Sequence, residues 1–167
     1  MHVRRHESAA AHLLVSMLIR YPEVASVRYE PDSQSLIFSF FLQGNLDGGK
    51  REACTQDLIA HFAACAELDR DFSPIGKLQF TPLEDITLLT YQQSIQRICA
   101  GEICLLTSVL RNHFANEVAL EPLLVDDDMK DVQDELIDRL LGHRDILVED
   151  RPIIAYREGG KVFVYNR

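Results

Sequence analysis

The sequence predicts an α+β fold: an antiparallel sheet of about five strands with helices mainly on one face. Two turn signals, one near each end of the chain, are flanked by alternating apolar and polar residues, and tight hairpins force antiparallel pairing. Between them, several stretches repeat apolar residues every three or four positions, the period of a half-buried helix. At 167 residues, 47% hydrophobic and 26% charged, the chain is long enough to bury about two-thirds of its unfolded surface in one domain. A single domain spanning 1–167 is expected, divisible into lobes 1–90 and 91–167.

The first helix is read from Ala10, Leu13, Leu14, Met17 and Leu18, one amphipathic stripe that ends at Pro22. Arg4 and Arg5 ahead of it raise a signal peptide, but His12, Ser16 and Arg20 interrupt the apolar segment. VASVRYE and SLIFSFFLQG then alternate around Glu30-Pro31-Asp32-Ser33, a turn with proline at its second position. This hairpin sets Leu36, Phe38, Phe40 and Leu42 on one face and Ile37, Ser39, Phe41 and Gln43 on the other. The second face is half apolar, so it is either covered or an association surface.

A second helix over 50–68 turns Cys54, Leu58, His61, Phe62 and Cys65 to one side. A short strand over 77–80, ending at Pro82, and a longer one over 86–91 follow. Residues 86–114 are the central landmark, joining that apolar strand to a helix over 102–114 with the stripe Ile103, Leu106, Leu110 and Phe114. Val118 to Leu120 reads as a minor strand. The next helix carries acids in its first turn, where they complement its dipole, and turns Met129, Val132, Leu136, Leu140 and, in part, Ile137 and Leu141 inward. The chain closes on two alternating runs around Gly159-Gly160. A two-residue loop there sets Glu158 opposite Lys161, Tyr156 opposite Phe163 and Ile154 opposite Tyr165. Both faces of this hairpin are fairly apolar, which places it inside the sheet.

The element order of residues 1–90 resembles that of the ferredoxin-like small domains of regulatory and metal-transport proteins. The likeness covers half of the chain and rests on order alone, so it transfers no functional residue.

Charge and composition narrow the function. The net charge is −9, much of it from seven acids in the window 126–138, which contains a single lysine. Such a chain repels phosphate backbones and anionic lipid, which argues against nucleic acid and membrane partners. No run reaches the roughly 18 apolar residues of a membrane span, and four dispersed cysteines fit reduced thiols in the cytoplasm. The glycine cluster at 44–49 lacks the phosphate-loop spacing, and the aspartate run departs from a calcium loop at its third ligand and its glycine. No protease, hydrolase or dinucleotide motif is present, so the sequence leans away from an enzyme and implies no cofactor.

Three residues remain as weak site candidates. His61 and Cys65 lie one helical turn apart, a spacing that can hold a metal but supplies only two ligands. Arg157 stands in an otherwise apolar hairpin, where it either reaches over the sheet or binds an anionic ligand. The function expected is a non-enzymatic protein-interaction or homodimerisation module. The alternative is a small-ligand or metal-sensing regulatory domain.

Overall fold

A computed structural model describes residues 8–118 and 127–166. Helix α1 (Ala9–Arg20) leads into hairpin β1 (Ser26–Glu30) and β2 (Ser35–Gln43). Helix α2 (Gly48–Leu68) then precedes β3 (Lys77–Leu83) and β4 (Ile86–Ser94). Helices α3 (Ala100–Phe114) and α4 (Asp127–Leu141) and a 3-10 turn (Arg144–Leu147) follow, before β5 (Ile153–Glu158) and β6 (Lys161–Asn166). All neighbouring strands are antiparallel, and they form one sheet in the order β3-β4-β2-β1-β5-β6.

The fold is α+β as expected, with six strands rather than about five. The short strand expected over 77–80 is a full member of the sheet, β3, which continues through Pro82 to Leu83. Its residues are half-buried or exposed, because as an edge strand it packs on one side only. That position also explains the proline, which lacks the N–H an interior strand needs. The pairings within β5–β6 are those read from the turn: Glu158 with Lys161, Tyr156 with Phe163, Ile154 with Tyr165. Gly159 and Gly160 adopt φ of 58° and 74°, the left-handed conformation that a two-residue hairpin loop requires. One expectation is corrected: only β5 is interior, paired to β1, while β6 forms the second edge of the sheet.

The order α-β-β-α-β-β of the first six elements is the ferredoxin-like β-α-β-β-α-β order rotated by one element. Helix α2 carries the chain from β2 to β3, and β4 returns into the gap between them. The boundary near residue 90 falls within β4, and pairing of β1 with β5 runs the sheet without a break through both lobes.

Period-two alternation puts Val27, Tyr29, Leu36, Phe38, Phe40, Leu42, Leu89 and Tyr91 on one face of the sheet, all fully buried. Against them pack Leu13, Leu14, Met17 and Leu18 of α1, Leu58 and Phe62 of α2, and Ile103, Leu106, Leu110 and Phe114 of α3. Each such aliphatic or phenyl side chain contributes about 1.5–3 kcal/mol relative to exposure. Ser8 caps α1 through the Ala11 amide at 3.1 Å, and Asp47 caps α2 through the Lys50 amide at 2.7 Å. The buried carboxylate of Glu23 pairs with Arg111, tying the α1–β1 connection to α3.

Helix α4 keeps part of its expected inward face, Ile137 and Leu141, and turns Met129 and Val132 outward. It buries Gln133, Ile137 and Leu141, whereas Met129 is 45% and Val132 57% exposed. This rotation brings Asp134 to Arg20 of α1, with an Nε–Oδ1 distance of 2.8 Å. Val118 makes an isolated bridge to Leu42, and the rest of the minor strand expected there lies outside the described residues.

Gly76 ends the link into β3 against the backbone of β4. An added Cβ would overlap the Gln92 carbonyl oxygen and come within 3.0 Å of the Tyr91 ring. Gly76→Ala is therefore expected to cost about 2 kcal/mol in urea unfolding through enforced backbone displacement. An unchanged midpoint would show that the link yields freely.

Candidate functional site

Helices α1, α2 and α3 pack on one side of the sheet, and among the described residues no helix covers the opposite face. Along β2 and β4 it presents Ile37, Ser39, Phe41, Leu88, Thr90 and Gln92; β5 and β6 add Ile154, Tyr156, Phe163 and Tyr165. Phe41 and Phe163 are 43% and 42% exposed, and Tyr165 is 57% exposed. Tyr156 and Phe163 stack across the strands with ring centroids 5.5 Å apart and planes 21° from parallel. Such a pairing holds a flat aromatic plate in place.

The electrostatics of this face differ from those of the whole chain. Among its outward residues Arg28, Lys77 and Lys161 stand against Glu30 and Glu158, although the chain as a whole is strongly acidic. Arg28 binds Glu30 through Nε at 2.7 Å. Beside this pair lies a cavity of about 440 Å³ bounded by Arg28, Glu30, Pro152, Ile153, Ile154 and Tyr165.

The sequence candidates fall elsewhere. His61 and Cys65 both sit on α2, where His61 turns back to Asp57, its Nδ1 3.0 Å from Oδ1. Asp57 also receives Nε2 of His113 from α3 at 2.8 Å, and this hydrogen bond holds its carboxyl below the usual range. Two imidazoles thus share one carboxylate, a cross-link between helices that the sequence could not show, with 56 residues between its ends. Among the described residues no three histidine, cysteine or acidic side chains converge as a metal would need. On the same helix, burial pushes the Cys54 thiol up to about 12, which keeps it protonated.

Arg157 points to the helical side. Its Nη2 donates to the carbonyl of Leu18 and, at 3.4 Å each, to those of Tyr21 and Val24. The guanidinium thereby gathers the Leu18 carbonyl in the last turn of α1 with those of Tyr21 and Val24 just beyond it, where a cation also complements the helix dipole. Arg144 does the same for the loop between β4 and α3, donating to Ile95 at 2.7 Å and Ile98 at 2.5 Å. Glu84 and Asp85 form the turn between β3 and β4, with Glu84 at φ 37°.

A polar cluster inside the fold went unnoticed in the sequence. Glu102 is fully buried in the first turn of α3, where it receives the Tyr91 hydroxyl at 2.5 Å, Gln93 Nε2 at 3.1 Å and the Cys99 amide at 3.0 Å. Gln93 also donates to the Pro74 carbonyl at 2.8 Å, and the Gly76 amide donates to the Tyr91 hydroxyl at 2.9 Å. Burial raises the Glu102 carboxyl above its ordinary value, partly offset by these donors. Burial, with Glu102 adjacent, also raises the Tyr91 hydroxyl. The one sequence signal was the spacing Cys99-x-x-Glu102, a capping box that reads the same whether exposed or buried.

No family model, curated protein or solved structure matches this chain. Among the described residues, no helix is long and apolar enough to cross a membrane.

Proposed function

We propose that this chain is a non-enzymatic protein-interaction module of the cytoplasm that associates through its β-sheet, in the simplest case with a second copy of itself. The observation that carries this reading is the uncovered sheet face. Its exposed Phe41, Phe163 and Tyr165 adjoin half-buried Ile37, Leu88, Ile154 and Tyr156. An apolar patch with polar surroundings is a common mark of an association surface, and aromatic residues are enriched at such surfaces. The near balance of charge there favours it further, since a second acidic copy meets less repulsion on this face than elsewhere.

Light scattering coupled to size exclusion, over a wide range of concentration, tests the reading. A reversible dimer is expected, strengthening with added salt as apolar burial outweighs ion pairing. A chain that stays strictly monomeric at the highest concentrations overturns the homodimer.

A small-ligand sensor is the second reading, favoured by the cavity between Arg28, Glu30 and Tyr165. Its volume falls within the range of small-molecule sites. Thermal shift against amino acids, nucleotides and metal ions checks it, and Arg28→Ala should abolish any stabilisation found. A ligand shift that survives this substitution places the ligand elsewhere.

A further inference from the structure

The two borders of the sheet are built differently, and the difference points to where a second copy would bind. In an antiparallel strand, alternate residues direct their N–H and C=O groups to opposite neighbours. The Arg157 amide donates to Ala25, toward β1, so Glu158, Tyr156 and Ile154 bond toward β6. Their partners Lys161, Phe163 and Tyr165 bond back, which leaves the main-chain groups of Val162, Val164 and Asn166 directed outward from β6. The same alternation, followed through β2 and β4, directs the backbone of Leu78, Phe80 and Pro82 outward from β3. Proline has no N–H, so the β3 border is blunted at an outward position, a common protection against further pairing. Among the described residues the β6 border is less protected: its six residues contain no proline, and its one charge, Lys161, stands at the turn end and faces the open side of the sheet. Phe163, Val164 and Tyr165 are all more than a third exposed.

We infer that β6 pairs antiparallel with β6 of a second copy about a two-fold axis through Phe163, joining two six-stranded sheets into one. This inference rests on the self-association reading above and names its surface. Self-pairing is favoured by the sequence of the strand, since Val162-Phe163-Val164 is a palindrome. With the axis at Phe163, Val162 forms a hydrogen-bonded pair with Val164 of the second copy, both on the helical side. Phe163 then meets its own symmetry mate on the open face, in the closer, non-hydrogen-bonded type of pair. Lys161 lies opposite Tyr165 of the second copy, where an ammonium over a phenol ring is favourable. Moving the axis to Val164 instead sets Val162 against the amide of Asn166, so the register at Phe163 matches like with like more fully.

Two variants test the inference separately from dimerisation as such. Val164→Pro removes an outward N–H and leaves the β5–β6 pairing intact. It is expected to weaken the dimer at least tenfold by light scattering, with far-UV circular dichroism and the thermal midpoint of the dilute monomer little changed. Phe163→Cys, made with Cys104→Ser, is expected to form a symmetric disulfide on mild oxidation. Non-hydrogen-bonded cross-strand positions have Cα atoms about 4.5 Å apart, within disulfide reach. Peptide mapping should return 163 joined to 163. A dimer that survives Val164→Pro and gives no 163–163 link overturns the edge assignment while sparing the association reading. A 164–164 link from Val164→Cys, without the 163–163 link, overturns the register. A wild-type chain that never dimerises overturns both.

Discussion

Glu102→Ala is expected to lower the unfolding free energy by about 3–5 kcal/mol, because it strands three buried donors at once. The Tyr91 hydroxyl, the Gln93 amide and the Cys99 backbone N–H all converge on this carboxylate, and no solvent reaches Glu102. Glu102→Gln keeps the shape and one acceptor oxygen but turns the second position into a donor facing other donors. Its cost should be smaller, about 1–3 kcal/mol for one unsatisfied group. Wild type and Glu102→Gln also differ in their pH response, because only the carboxyl titrates. Burial places the native value of Glu102 above its ordinary 4.5, so between those two values the folded state holds more protons than the unfolded state. Stability from this group therefore falls as pH rises through that window and levels off above it. Urea unfolding at a series of pH values should show wild type losing stability relative to Glu102→Gln across the window. A parallel pair of profiles would mean that the carboxyl is not perturbed as described.

Arg157→Met is expected to cost about 2–3 kcal/mol while leaving self-association intact at concentrations where both proteins are folded. Methionine preserves the apolar stem of the side chain and removes every donor from the end of α1. The carbonyls of Leu18, Tyr21 and Val24 lose a charged partner, an interaction of the kind worth about 1.5–3 kcal/mol each in mutational series, with shared geometry reducing the sum. Hydrogen exchange should localise the effect, with amides near residues 18–24 opening sooner in the variant. Loss of association without loss of stability would instead assign Arg157 to the binding surface.

Much of the architecture was legible because it is local. The turn chemistry of Gly159-Gly160 set the register of β5 and β6, and strict alternation in β2 sorted Phe38 and Phe40 from Ile37 and Phe41. What stayed hidden depends on residues far apart in the chain. No local pattern says that β5 docks on β1, about 125 residues earlier, and so leaves β6 at the border. The face that α4 buries was hidden for the same reason: it packs on α1, where Asp134 meets Arg20, 114 positions earlier. Met129 and Val132 share the helical spacing of apolar residues with the buried Ile137. Of the candidate residues, Arg157 was recognised as out of place in an apolar hairpin. Its carbonyl partners on α1 could not be read without the fold.

The proline at one border of the sheet bears on how far the proposed assembly could extend. When two copies join along β6, the ribbon that results is terminated at both ends by β3 and its missing donor at Pro82. On the proposed pairing, lateral growth would meet a border blunted at Pro82, with outward N–H groups only at Leu78 and Phe80, which favours a closed pair over a fibre.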